Sequence, residues 1–287
     1  MSPAIGVERQ MNKVIVAAVL VLIALGCAPK KPPVEYDRTI AAVDVNVEVN
    51  SETMTVSWKK AGEGMIAGYN IYISEEPLAA RYPEAAAKPT FQPYNDEPFP
   101  GDTNPDDGVE YFIANNLENG VKYYVSVRVV YPDKSVSKSS NEVLAVCGPR
   151  GAIELAVRYE GEHDGFSFEK NEYVKADAVD NDVYFFSKRF ADILNSPVRL
   201  NGFLRKNKFL LLPFRGTFEQ VSEQLAQNPM TATNEFAPVK VGDWVLIQTP
   251  EKKNALVNVL GFSGEQGEER RVRLFYAYSA LTGEIVF

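Results

Sequence analysis

Tyr123, Val125, Val127, Val129 and Tyr131 take every second place along one stretch of this chain. A period of two sets all five on one face of a strand, whereas a helix would scatter them around its circumference. Shorter rows repeat the pattern: Val43, Val45, Val47 and Val49; then Met54, Val56 and Trp58; then Tyr69, Ile71 and Ile73. Strands with one apolar face are stable only when two such faces close on each other, so the rows predict an antiparallel sandwich. Gly148-Pro149-Arg150-Gly151 interrupts the pattern and marks a domain boundary.

Alternation resumes beyond the break at Ile153, Leu155, Val157 and Tyr159. Further strands are predicted at Asp182–Ser187, Trp244–Thr249, Ala255–Leu260 and Arg271–Ser279. One helix stands out. Thr217 caps it, Gln220 completes a capping box, Phe218, Val221 and Leu225 share a side, and Asn228-Pro229 ends it. The predicted class is mainly β: an antiparallel sandwich over 40–148, then a second antiparallel β domain over 149–287 with one or two short helices.

The first domain resembles a fibronectin type III domain. Trp58 stands where that family keeps its core tryptophan, Gly68-Tyr69-Asn70-Ile71-Tyr72 is similar to its third strand, and Leu117 to Tyr123 has the spacing of its tyrosine corner. Asn119 and Val121 depart from the proline and threonine usual in that corner. The resemblance implies that Trp58, Tyr69 and Tyr123 are core, and that function lies in loops rather than in the fold. In the second domain, Gly165–Glu169, Trp244–Thr249 and Val272–Tyr278 resemble the β domain of several bacterial envelope lipoproteins. Relatives of that outline that capture haem use paired histidines, and this chain has only His163.

The other strong signal is N-terminal. Lys13 precedes an apolar run from Val14 to Gly26, shorter than the ~20 residues a membrane-spanning helix needs and suited to a signal-peptide core. Ala24-Leu25-Gly26-Cys27 resembles a bacterial lipobox, which implies cleavage after residue 26 and lipidation of Cys27. Lipoproteins of this kind carry about three acyl chains, including palmitate, and stable anchoring takes at least two. Ala28 after the cysteine resembles the outer-membrane sorting pattern of Gram-negative envelopes. Residues 27–39, with Pro29, Pro32 and Pro33, read as a stiff tether.

Removing residues 1–26 leaves 28 basic and 37 acidic residues, a net charge of −9. That balance argues against nucleic acid, which is met by a basic footprint. Cys147 ends an apolar run and is expected to be a buried, inert thiol. A single histidine excludes paired-histidine metal or haem sites. No cofactor, metal site or catalytic residue is predicted.

Two stretches are candidate binding surfaces. Lys188, Arg189, Arg199, Arg205, Lys206, Lys208 and Arg215 crowd into a segment whose only acid is Asp192. They read either as a patch for an acidic partner or glycan, or as cations guarding a strand edge. The long loop from Glu75 to Gly108 is pinned by seven prolines and carries Tyr82, Phe91, Tyr94 and Phe99. It reads as a flap over its own sandwich or as a contact surface, the flap being favoured. Asp102–Gly108 lacks the glycine position and bidentate glutamate of an EF-hand. Asp177, Asp180 and Asp182 read as a polar turn before a strand. The expectation is a lipid-anchored envelope protein that binds a protein or glycan without catalysis. The alternatives are an enzyme acting on envelope polysaccharide and a structural subunit of an envelope complex.

Overall fold

Among the described residues, six strands precede Gly148 and pair into two antiparallel sheets of three. The structure is a computed structural model that describes residues 41–59, 66–78, 92–101, 108–158 and 163–287. Arg38–Phe287 is one compact unit.

One sheet has the order β1 (Val43–Asn50), β2 (Thr53–Lys59), β4 (Val109–Ala114). The other has the order β3 (Gly68–Ser74), β5 (Lys122–Val130), β6 (Val143–Val146). The alternating rows face each other: Val45, Val49, Met54, Val56 and Trp58 from one sheet, Tyr69, Ile71, Val125, Val127 and Val129 from the other, all buried. Trp58 and Tyr69 meet edge-on, ring centroids 5.0 Å apart. Burying each such side chain contributes about 1.5–3 kcal/mol, the dominant favourable term in a sandwich of this size.

The tyrosine corner forms. Glu118 donates its backbone N–H to the Tyr123 hydroxyl at 2.9 Å. Asn119, which stands in place of the usual proline, makes bonds of its own. Its side chain accepts from the Glu52 N–H at 2.8 Å and donates to Ser51 Oγ at 3.0 Å. It ties the β1–β2 turn to the corner, which a proline side chain, having no polar atom, could not do.

The break at Gly148 is bonded to both of its neighbours. Gly148 donates to the Asn50 carbonyl at 3.2 Å, and Tyr278 donates to the Pro149 carbonyl at 2.8 Å. A Cβ on Gly148 would run into the Tyr278 carbonyl oxygen, so only glycine lets the strands pass.

Beyond the joint, the described residues form two five-stranded antiparallel sheets. One runs β13 (Phe236–Pro238), β11 (Ala191–Asn195), β10 (Val183–Lys188), β8 (Gly165–Ser167), β9 (Glu172–Val174). The other runs β12 (Lys208–Leu211), β14 (Trp244–Gln248), β15 (Asn254–Ser263), β16 (Arg271–Ser279), β7 (Arg150–Ala156). Phe166, Val183, Phe185 and Leu194 pack on Phe209, Val245, Ile247 and Val257 between them. The helix α1 (Phe218–Gln227) covers the outer face of the second sheet, setting Val221 and Leu225 against Trp244, Leu246 and Leu256. Both faces of β14 are therefore covered, which explains its unbroken apolar run. The capping box at Thr217 and Gln220 is present.

Candidate functional site

A cleft of about 1160 Å³ opens between the sandwich and the helix side of the second body. Its walls come from β1 and β6 on one side, and on the other from α1 and the adjoining faces of β14, β15 and β16. The volume exceeds the roughly 300–1,000 Å³ of small-molecule pockets and suits a stretch of polymer. The lining mixes Phe218, Trp244 and Phe275 with the carboxylates of Glu48, Glu219 and Glu223.

Arg150, the first residue of β7, supplies the cleft's cation. Its guanidinium lies 5.3 Å from the Phe218 ring centroid, and its Nε is buried without a hydrogen-bond partner. Burial lowers its pKa, against the pull of Cys147, Glu48 and Glu219. The Thr217 side chain, and less strongly Arg150, lower the Glu219 pKa. Such a cleft can hold an extended chain by apolar contact, by carboxylates at its rim and by one aromatic-stacked arginine.

The seven residues of the basic stretch fall at two separated ends of the β10–β11 hairpin. Lys188 and Arg189 are at its tip, where Phe190 is 89% exposed; Arg215 is on the same side, bound to Asp243 at 2.5 Å. Arg199, Arg205, Lys206 and Lys208 lie toward the other end. Arg199 covers the Phe236 ring at 4.4 Å, Lys208 pairs with Glu235 at 3.3 Å, and Arg205 pairs with Asp182 at 3.1 Å and Glu251 at 2.6 Å. Lys206 is exposed. Beside it a groove of about 340 Å³ is lined by Val179, Phe203, Leu204 and Pro250, and Phe203 is 98% exposed. Lys188 and Arg189 also lie over neighbouring aromatic rings.

The long loop covers its own sandwich where it is described. Phe99 and Tyr69 exchange backbone hydrogen bonds at 2.7 and 2.8 Å, and the Tyr94 N–H donates to the Ile71 carbonyl at 2.7 Å. The Asn95 amide accepts from the Ile71 N–H at 2.8 Å and donates to the Tyr69 carbonyl at 3.0 Å. Phe99 packs edge-on against Phe112 and Trp58. The segment thus occupies the outer edge of β3. Tyr82, Phe91, most of Asp102–Gly108 and the whole N-terminal region with Cys27 lie outside the described residues.

Cys147 is fully buried, its Sγ directed at the Thr53 carbonyl, and burial pushes the thiol up to about 11. His163 stacks on Tyr173 at 4.1 Å. Asp180 pairs with Lys170 at 2.6 Å while Asp182 is buried, so the acids of that turn have different surroundings. Among the described residues, no group of three or more His, Cys, Asp or Glu is placed to hold a metal ion, and no helix is long and apolar enough to cross a membrane.

The cleft escaped sequence reasoning. Arg150 carried no signal beyond its place in a glycine- and proline-rich break, and Glu219 and Glu223 read only as the polar face of a helix.

A comparison with curated proteins finds no match. Among solved structures, the chain is similar to a family 28 exopolygalacturonase of Yersinia enterocolitica, at 19% identity and a TM-score of 0.25, over 43% of this chain and 23% of that one. It is also similar to the twitchin kinase region of C. elegans, at 12% identity and a TM-score of 0.25, over 81% of this chain and 37% of that one. The chain thus spans less than half the length of either structure. Among protein families, the match is to the fibronectin type III domain at residues 39–145, so the sandwich on one wall of the cleft is a fibronectin type III domain.

Proposed function

We propose that the chain is a lipid-anchored protein of the bacterial envelope that works by binding, held to the membrane through Cys27 and presenting its inter-domain cleft to a partner. The observation that carries this reading is the cleft itself, which is built by both bodies and somewhat larger than the usual small-molecule pocket. A fibronectin type III domain is generally an interaction module, which agrees with a binding role. The apolar run before Cys27 supports the anchor. Envelope proteins and glycans are the partner classes proposed.

The test has two arms. Cys27→Ala is expected to move the protein from the membrane to the soluble fraction, and retention at the membrane overturns the anchor. A photo-crosslinking residue at Ser222, which lines the cleft on α1, is expected to trap one envelope component at near-stoichiometric yield in cells. Crosslinking no stronger than from an exposed control position on another face overturns the cleft as the binding surface.

Exposed Phe203 and Phe190 favour a second reading, a structural subunit buried in a larger assembly. Phe203→Ser would then release the protein from that assembly without lowering its unfolding midpoint.

A further inference from the structure

Three loops of the second body bring apolar side chains to one exposed tip. Val179 comes from the turn before β10, Phe203 and Leu204 from the loop between β11 and β12, and Pro250 from the β14–β15 turn. Phe203 is 98% exposed and Val179 79%. Folding gains nothing from an aromatic ring left in water. The loop is nevertheless built to hold that ring outward. The Asn201 side chain accepts from the Phe203 N–H at 3.1 Å, its carbonyl accepts from the Leu204 N–H at 2.9 Å, and the Arg205 carbonyl closes the base by accepting from the Val198 N–H at 3.0 Å.

The charges beside this tip leave cations free. Asp182 and Glu251 are paired with Arg205, and Asp180 with Lys170. Lys206 and Lys252 are exposed and form no ion pair among the described residues. Lys175 and Asp177, on the Val179 turn, offset each other. The Phe190 end differs: the loop beside it, whose Gly267 N–H donates to Ser187 Oγ, carries Glu265, Glu268 and Glu269.

The tip lies at the joint end of the second body. Lys252, next to Pro250 and Glu251, accepts through its carbonyl from the Gly283 N–H at 2.8 Å, and Glu284 pairs with Lys122 of the sandwich at 2.6 Å. β1 runs from its start to Asn50 at that joint, a length of about 26 Å. Thirteen residues lie between Cys27 and Ala41, a reach of up to about 45 Å. A chain anchored at Cys27 can therefore lie along its membrane with the joint end touching it.

From the tip, its free cations and that reach, we propose that Phe203, Val179, Leu204 and Pro250 dock into an anionic lipid bilayer, with Lys206 and Lys252 against its headgroups. The inference rests on the reading of Cys27 as the anchor and names the face laid on the membrane. A fluid surface accepts a protruding tip without a matching cavity, and the two lysines add attraction to anionic lipid.

The test uses the lipidated full chain in vesicles of phosphatidylcholine with about a quarter phosphatidylglycerol. A nitrobenzoxadiazole dye is placed on Gly202→Cys, where an added Cβ meets nothing within 4 Å. Cys147 is buried with its thiol raised and does not compete for the dye. Lipids carrying a nitroxide on the acyl chain are expected to quench this dye at least about twofold, and to leave a dye on Phe190→Cys unquenched. Phe203→Ser, or Lys206→Glu together with Lys252→Glu, is expected to abolish most of the quenching at position 202. Both variants change exposed side chains only. An unquenched dye at 202, equal quenching at 190, or quenching unmoved by both variants overturns the inference. So does an unquenched dye in vesicles with crosslinking of position 202 to a protein in cells, which would make the tip a protein contact. If mass spectrometry finds lipid on Cys27 while the dye stays unquenched, docking falls and the anchor stands. If Cys27 carries no lipid, the anchor reading falls and takes the inference with it.

Discussion

Asp182 and Arg205 meet at 3.1 Å between the ends of two sheets, with the carboxylate side chain 2% exposed. Asp182 also accepts from the Phe168 N–H at 2.8 Å and from Asn207 Nδ2 at 3.2 Å. Burial outweighs these partners and raises the carboxyl from 3.8 to about 6. A carboxyl with a higher pKa folded than unfolded binds its proton more tightly in the folded state. Its contribution is full below the unfolded pKa and is lost as pH rises through the folded one. Two pKa units correspond to on the order of 2–3 kcal/mol. Urea midpoints between pH 4.5 and 7.5 are expected to fall less steeply with pH in Asp182→Asn than in the parent. Asp180, whose pKa is lowered by Lys170, acts in the opposite sense, so the difference between the two proteins carries the result. Parallel slopes would remove Asp182 as the cause.

The Tyr123 hydroxyl is the acceptor for the Glu118 N–H, and Tyr123 is 8% exposed. Tyr123→Phe keeps the ring and removes only the acceptor. A backbone donor left without a partner costs about 1–3 kcal/mol. Chemical denaturation is expected to show a loss in that range with an unchanged m-value, and a loss under about 0.5 kcal/mol would mean that water replaces the hydroxyl.

The strands legible in the sequence were those whose two faces meet different surroundings. β2 alternates between half-buried Thr53, Thr55 and Ser57 and buried Met54, Val56 and Trp58, and it was readable. β8, β9 and β13 have three residues each, and a period cannot be read from three positions; pairing with neighbours defines them. The basic stretch is continuous in sequence but not in space. The β10–β11 hairpin carries Arg189 to one end and Arg199 to the other. The cleft was illegible for the same reason in reverse, since Val47, Arg150, Glu219 and Phe275 are distant in sequence and only packing brings them together.

Gly148 allows the sandwich and the second body to share a joint without a linker. Its N–H reaches Asn50, and a side chain there would strike the Tyr278 backbone. Gly148→Ala is expected to lower stability by about 1–3 kcal/mol, because neither strand can give way without breaking ladder bonds. Limited proteolysis should also gain a cut near residues 147–151. Unchanged stability and protection would mean that the joint yields freely.

Asn95 replaces two backbone groups with one side chain, bonding the Ile71 N–H at 2.8 Å and the Tyr69 carbonyl at 3.0 Å on the edge of β3. It also donates to the Glu97 carbonyl at 2.7 Å, which holds its own segment in shape. Asn95→Ala removes all three bonds and opens the flap at its centre, while Phe99 keeps its packing on Phe112. The expected stability loss is about 1–2 kcal/mol. The sharper readout is amide exchange. The Ile71 N–H should exchange faster by at least about tenfold, since it loses its acceptor at an edge that water can then reach. The Val127 N–H, held by Ser140 Oγ at 2.9 Å, should keep its rate. Faster exchange at both would place the effect in global unfolding, and slow exchange at Ile71 would show that Asn95 does not seal the edge.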